Sequence, residues 1–188
     1  MGKGASQCVV GPIDVPTRGG RDPFARPGAP GNRWLNFGCD GEIPAKYRQK
    51  VEQAAALAYA LSQKRIFVQT FDKIVTKVAK GQPRSYLDAL DAMTLNFADT
   101  STNPVVVKEM AEAVEAHKQD PKYQIEGGFT IGLTGKTYIR EFALRDWSAK
   151  QIAGLISHEA THVAGAPGDL FTEVVLATLD QYGYPRHP

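Results

Sequence analysis

Apolar residues in the first half of the domain recur every three or four positions, the spacing that gives a helix one buried face. Pro44 suits the first turn of the first helix, and the alanines on its apolar face indicate close packing against another helix. Residues 95–102, between the third and fourth of these helices, are polar and typical of a turn. The predicted helices cover residues 44–63, 68–80, 85–93 and 103–117.

The pattern changes after residue 122, where apolar and polar residues nearly alternate and β-forming residues become frequent. This alternation predicts two or three antiparallel strands over residues 123–125, 129–133 and 137–144. Two apolar helices follow, the first ending at the glycines after residue 164 and the second covering residues 169–182. The predicted fold class is therefore α+β, with a mostly helical N-terminal half, a small antiparallel sheet and two C-terminal helices.

The first 33 residues are rich in glycine, proline and arginine, which is typical of an extended arm or linker, so the predicted domain is 34–188. The formal net charge of +2 is too small to favour a nucleic-acid or membrane partner. No apolar run reaches the roughly 20 residues that span a bilayer, and the N-terminus lacks the apolar core of a signal peptide. Cys8 and Cys39 either form a disulfide, which needs an oxidising compartment, or stay separate thiols.

The strongest chemical signal is the H-E-x-x-H sequence of residues 158–162. Ser148 and Gln151 have the spacing of a capping box that opens a half-buried helix, and the motif falls in its last two turns. Residues four apart share one face of a helix, so His158 and His162 can direct two imidazoles at one zinc ion. Glu159 then stands beside them as a general base. The alternative without a metal site is a core helix that happens to contain two histidines.

A catalytic zinc usually has three protein ligands and an open fourth position. Glu173 is the favoured third ligand, because it is the one charged residue in an apolar stretch of the last helix, and a buried carboxylate needs a partner. Asp169 is the alternative, although it is also explained as the N-cap of that helix. His187 is a weaker candidate. His117 lies among charged residues and is predicted to be a solvated surface histidine.

With these residues the chain resembles the zincin metallopeptidases, and most closely the deuterolysin and peptidyl-Lys metalloendopeptidase group, the aspzincins. The resemblance covers residues 37–40, the helix after them, and residues 156–163. It implies a zincin-like fold, a zinc ion and cleavage of peptide bonds. The sequence departs from the G-T-x-D-x-x-Y-G motif of that group at residues 165–173, where the aspartate is displaced and Thr172 stands in place of the tyrosine. With Glu173 as ligand, the site would be more similar to that of a gluzincin.

These features together predict a zinc endopeptidase that acts on protein or peptide substrates. We expect the edge strand within residues 137–144 to bind the peptide by strand addition, and Tyr182 or Tyr184 to donate a hydrogen bond to the oxyanion. Several bacterial toxin domains also resemble this layout of linker, compact domain and C-terminal motif. That resemblance favours a secreted or delivered effector, as part of a larger protein or paired with an inhibitor.

Two other functions fit the same residues. One is a zinc-stabilised binding domain without activity, in which four protein ligands close the site. The other is a zinc hydrolase of a non-peptide substrate.

Overall fold

The computed structural model describes residues 36–168 and 172–184. The predictions for the N-terminal arm, Cys8, Asp169 and His187 therefore lie outside the described residues. The described elements, in chain order, are β1 (Asn36–Phe37), α1 (Ala45–Leu61), α2 (Arg65–Val78), α3 (Tyr86–Ala92), β2 (Thr94–Phe97), a short 3-10 turn (Ala98–Thr100), α4 (Pro104–Gln119), β3 (Gly128–Thr130), β4 (Lys136–Ile139), α5 (Glu141–Asp146), α6 (Ala149–Val163) and α7 (Thr172–Asp180).

The α+β class and the four helices of the N-terminal half are confirmed. Two of the four, α3 and α4, begin with a side-chain cap. The Ser85 side chain accepts a hydrogen bond from the backbone of Asp88 at the start of α3. Asn103 caps α4 through the backbone N–H of Val105, and Pro104 occupies the first turn, where no N–H is required. Local sequence was sufficient for α3 and α4 because their caps and their apolar spacing agree.

The four strands form a mixed sheet in the order β1-β2-β4-β3, so the prediction of an antiparallel sheet was wrong. Only β3 and β4 are antiparallel neighbours, with Phe129 opposite Tyr138. β2 pairs in parallel with both β1 and β4, because helices lie between these strands in sequence and return the chain to the same edge. This order puts β4 inside the sheet and β3 at its edge.

Three local predictions also need correction. Residues 95–102, expected to form a turn, begin as β2, and residues 123–125 do not form a strand. The stretch 137–144 is two elements, β4 and α5. The polar residue Asn96 made β2 resemble a turn in the sequence, but this residue is only 1% exposed. Its amide donates to the carbonyls of Thr94 and Thr137 and its oxygen accepts from the Asp40 backbone, so tertiary partners satisfy a group that reads as a loop residue.

Helix α6 is the centre of the domain. Its capping box is present as predicted, with Ser148 accepting from the Gln151 backbone and Gln151 accepting from the Ser148 backbone. The helix was predicted to be half-buried, but its burial is greater, since every residue from Ile152 to Thr161 is buried. Helix α1 packs against it most extensively, and α3, α7 and β3 also contact it. The predicted close approach is made through Ala54, Ala55 and Ala58 of α1, all fully buried.

Helix α7 packs against α6 and α2. A Cβ atom on Gly183, just beyond the end of α7, would lie 3.8 Å from Nζ of Lys150 in the first turn of α6. The two helices therefore run antiparallel, as the tight turn between them predicts. In the parts of the chain that the structure describes, no helix combines the length and apolarity needed to cross a bilayer.

The segment before α1 is fastened to the sheet and to α4 by Asp40. Its carboxylate accepts hydrogen bonds from the side chains of Ser101, Asn103 and Tyr138. Burial alone would raise the pKa of Asp40, but these hydrogen bonds hold its pKa below the usual value. The neighbouring Cys39 is disulfide-bonded.

Candidate metal centre

The two histidines of the motif lie on one face of α6, with their Nε2 atoms 3.2 Å apart. Two nitrogens bound to one tetrahedral zinc, each at about 2.0–2.1 Å, would be separated by about 3.3–3.4 Å. The observed spacing of His158 and His162 is therefore within a few tenths of an ångström of what a zinc ion requires. Without a cation, one of these nitrogens must carry a hydrogen to avoid the repulsion of two lone pairs.

The turn after α6 orients the second imidazole. Nδ1 of His162 lies 3.2 Å from the carbonyl oxygen of Ala166. A carbonyl can only accept, so Nδ1 carries the hydrogen and Nε2 keeps its lone pair for a metal. Gly165 makes this turn possible, because its φ of +107° is one that side chains rarely adopt. The backbone carbonyl of Gly165 in turn accepts a hydrogen bond of 3.1 Å from Lys80 N–H, which attaches the turn to the end of α2.

A buried hydroxyl network holds the middle of α6. The Tyr86 hydroxyl lies 2.8 Å from Oγ of Ser157 and 2.9 Å from the carbonyl of Ala58, so it joins α3, α6 and α1 immediately before His158. The Tyr86 ring packs edge-on against Phe67 and Phe71 of α2. Burial raises the pKa of Tyr86 and keeps it neutral. No sequence motif marked Tyr86, because its role depends on three elements that are distant in sequence.

Glu159 is only 2% exposed, and it lines the same cleft as His162. Its Oε2 atom is buried and receives no hydrogen bond from the residues that the structure describes. Burying a carboxylate oxygen without a donor is costly. A free lone pair beside the histidine pair is what a general base or a cation partner would require.

The cleft above these residues has a volume of about 350 Å³. The turn at 165–168 and Lys80 form one wall, and the edge strand β3 with the β3–β4 hairpin forms the other. Phe129 and Leu133 supply apolar surface on the strand side, where Glu126 also lies. The volume is at the lower end of the range typical of ligand sites.

The third-ligand candidates are placed only in part. In the described portion of the chain, no group of three or more potential ligand side chains comes together. The backbone of Glu173 lies in the first turn of α7, and nothing is described of its side chain. Since α7 runs antiparallel to α6, its first turn, which contains the backbone of Glu173, lies towards the C-terminal end of α6, where the motif falls.

The other residues selected from the sequence lie away from the histidine pair. The Tyr184 hydroxyl donates to the Leu57 carbonyl of α1 and its ring is buried in the core. Tyr182 lies beneath the ammonium of Lys64, at the start of α2, whereas the cleft is at the other end of that helix. His117 is exposed, with Nδ1 2.7 Å from the Tyr123 carbonyl. The structure therefore brings neither tyrosine into the cleft.

Comparison with models of protein families, with curated proteins and with solved structures finds no match to this chain.

Proposed function

We propose that the protein is a zinc-dependent endopeptidase of the zincin type. The observation that carries this proposal is the spacing of the two imidazoles, whose Nε2 atoms are 3.2 Å apart, close to the separation of two ligands of one zinc ion. The buried Glu159 carboxylate lies in the same cleft. His158 and His162 would hold the ion, with Glu173 as the third ligand and Asp169 as the alternative. A bare histidine pair on a core helix would need neither the buried carboxylate nor the cleft.

The residues of the chain divide the work of peptide hydrolysis. A zinc ion would supply Lewis-acid polarisation of the scissile carbonyl and would make the attacking water more acidic. Glu159 accepts the proton of that water at its carboxylate and then donates it to the amine nitrogen of the leaving peptide. The Ala166 carbonyl keeps the hydrogen of His162 on Nδ1, so that Nε2 stays available.

The peptide substrate is proposed to bind along β3, which replaces the strand within 137–144 that the sequence favoured. β4 is paired on both sides, by β2 and β3, whereas among the described strands β3 has β4 as its one neighbour. The outer N–H and C=O groups of β3 are thus available for strand addition. Phe129 and Thr130 of this strand line the cleft that contains Glu159, so a peptide added to β3 passes the proposed base.

The test measures zinc content and cleavage of unfolded casein for the protein and two variants. The protein should contain about one zinc per chain and cleave casein. Replacing both His158 and His162 by alanine should abolish both properties. Glu159→Gln should keep the zinc and the fold, while activity falls by about 10²-fold or more.

Glu115→Gln, the same substitution at an exposed position on α4, is the matched control and should change nothing. Stoichiometric zinc in the double-histidine variant would place the metal elsewhere. Zinc that is bound without any cleavage of casein would favour the non-catalytic binding domain, and the peptidase proposal would then be abandoned.

A chelator competition assigns the third ligand. Glu173→Ala should weaken zinc binding by more than the roughly 10–100-fold that loss of an outer hydrogen-bonding partner causes. Asp169→Asn should keep the zinc, because asparagine caps a helix about as well as aspartate. The reverse pattern would assign the ligand role to Asp169 and an aspzincin-like site to the protein.

A further inference from the structure

The two walls of the cleft differ in charge. Lys80 lies on the wall formed by the turn at 165–168, and it is the only lysine or arginine among the described residues that line the cleft. The acidic groups, Glu126 and Glu159, lie on the strand side and in the floor. A substrate with uneven charge would therefore be oriented when it enters.

The backbone of Lys80 is fixed beside the histidine pair. Its N–H donates to the carbonyl of Gly165, 3.1 Å away, and the Arg84 N–H donates to the carbonyl of Ala164 at 3.3 Å. Ala79 packs against Gly165, where an added Cβ would come within 3.2 Å of the Ala79 Cβ. The loop after α2 is thus attached at two points to the turn that orients His162, so the position of Lys80 is set by the same contacts as the site.

The ammonium of Lys80 also differs from those of several other lysines in the part of the chain that is described. Lys46, Lys108 and Lys118 each form an ion pair with a glutamate, whereas Lys80 forms no ion pair or side-chain hydrogen bond with a described residue. Lys80 is exposed and lines the cleft. A cation without a protein partner at the wall of a binding cleft is available to a substrate anion.

We propose that Lys80 determines specificity by binding a carboxylate of the peptide substrate, on the wall opposite β3. This inference rests on the proposed peptidase function and names its substrate class, a peptide with a carboxylate close to the scissile bond. The carboxylate is either an aspartate or glutamate side chain or the C-terminal carboxylate. Its attraction to Lys80 offsets the repulsion it meets from the acidic groups of the cleft.

The experiment uses short fluorescent peptides in matched forms, with glutamate or glutamine at one position and with a free or amidated C-terminus. kcat/KM is measured for cleavage, and Kd is measured by anisotropy with the zinc-loaded Glu159→Gln variant. Lys80→Ala should lower kcat/KM about fivefold for the carboxylate peptide alone, as expected for an exposed ion pair of about 1 kcal/mol. Lys80→Glu should reverse the preference, and added salt should weaken it in the unmodified protein.

Lys77→Glu is the matched control, because Lys77 is an exposed lysine in the last turn of α2 that does not line the cleft. It makes the same change in net charge and should leave the preference intact. If the protein prefers the glutamate peptide to the glutamine peptide, the carboxylate that Lys80 binds is a side chain. If it prefers the free C-terminus to the amidated one, Lys80 binds the C-terminal carboxylate.

An equal preference in the unmodified protein and in Lys80→Ala would overturn the inference, as would an equal effect of Lys77→Glu. The binding measurement separates this failure from failure of the proposed function. If no peptide is cleaved but Lys80 still determines the Kd for carboxylate peptides, recognition by Lys80 stands and the peptidase function fails. If neither cleavage nor binding depends on Lys80, the inference is wrong.

Discussion

Replacing Gly165 by alanine tests how the turn after α6 supports the histidine pair. Gly165 has a φ of +107°, and a new Cβ would lie 3.2 Å from the Cβ of Ala79. A non-glycine residue in such a conformation costs about 1–3 kcal/mol, and crowding in a packed site adds about 1–3 kcal/mol. The lower entropy of the unfolded alanine chain returns about 0.4–1 kcal/mol. These ranges sum to about 1–6 kcal/mol, and we expect a net destabilisation near the middle, about 3 kcal/mol.

Urea unfolding measures this loss. With an m value of about 2 kcal/mol/M, the midpoint should fall by about 1–2 M while m stays constant. Gly132→Ala is the matched control, because Gly132 also has a positive φ, +50°, but no atom lies within 4 Å of its new Cβ. The control substitution should lower the free energy of unfolding by about 1 kcal/mol or less. In the double variant Ala79→Gly with Gly165→Ala, only the share of the lost stability that comes from crowding should be recovered.

The same variant should also weaken the proposed zinc binding. The strained turn carries the Ala166 carbonyl that accepts from Nδ1 of His162. Loss of such a partner typically lowers metal affinity by about 10–100-fold, so zinc binding to the folded protein should weaken in Gly165→Ala and not in Gly132→Ala. Equal urea midpoints and equal zinc affinities for the two variants would refute this account of the turn.

Two further predictions concern hydrogen bonds outside the histidine pair. Tyr86→Phe removes the hydroxyl that contacts Ser157 and Ala58, so the free energy of unfolding should fall by about 1–2 kcal/mol, whereas Tyr123→Phe, at an exposed site, should be neutral in the same urea assay. At pH 7 the free energy of unfolding of Asp40→Asn should be about 1 kcal/mol lower than that of the unmodified protein. The loss is modest because Asp40 remains partly exposed. The pKa of Asp40 is lowered on folding, so its contribution is present above its ordinary value of 3.8 and is lost as the pH falls through the lower folded value. The difference between Asp40→Asn and the unmodified protein should therefore shrink below about pH 4, and a difference that does not depend on pH would contradict the assignment.

Local sequence determined every described α-helix except α5, and it determined the chemistry that α6 carries. Ser148 and Gln151 cap α6, and the four-residue spacing of His158 and His162 is enough to put both imidazoles on one face, because helical geometry leaves no other arrangement. The alanines of α1 correctly indicated a close helix partner, since small side chains allow the backbones to approach. The glycine at position 165 correctly indicated where the helix ends.

The tertiary structure alone decided the sheet and the walls of the cleft. The order β1-β2-β4-β3 depends on how the helices between the strands return the chain, and alternation of residues within one strand does not contain this information. Asn96 reads as a turn residue until Asp40, Thr94 and Thr137 satisfy its amide inside the sheet. Lys80 and Tyr86 acquire their positions through contacts with residues more than 70 positions away in sequence. Local pattern reports which residues are buried together on one element, whereas a site between elements forms only when non-local contacts fix their arrangement.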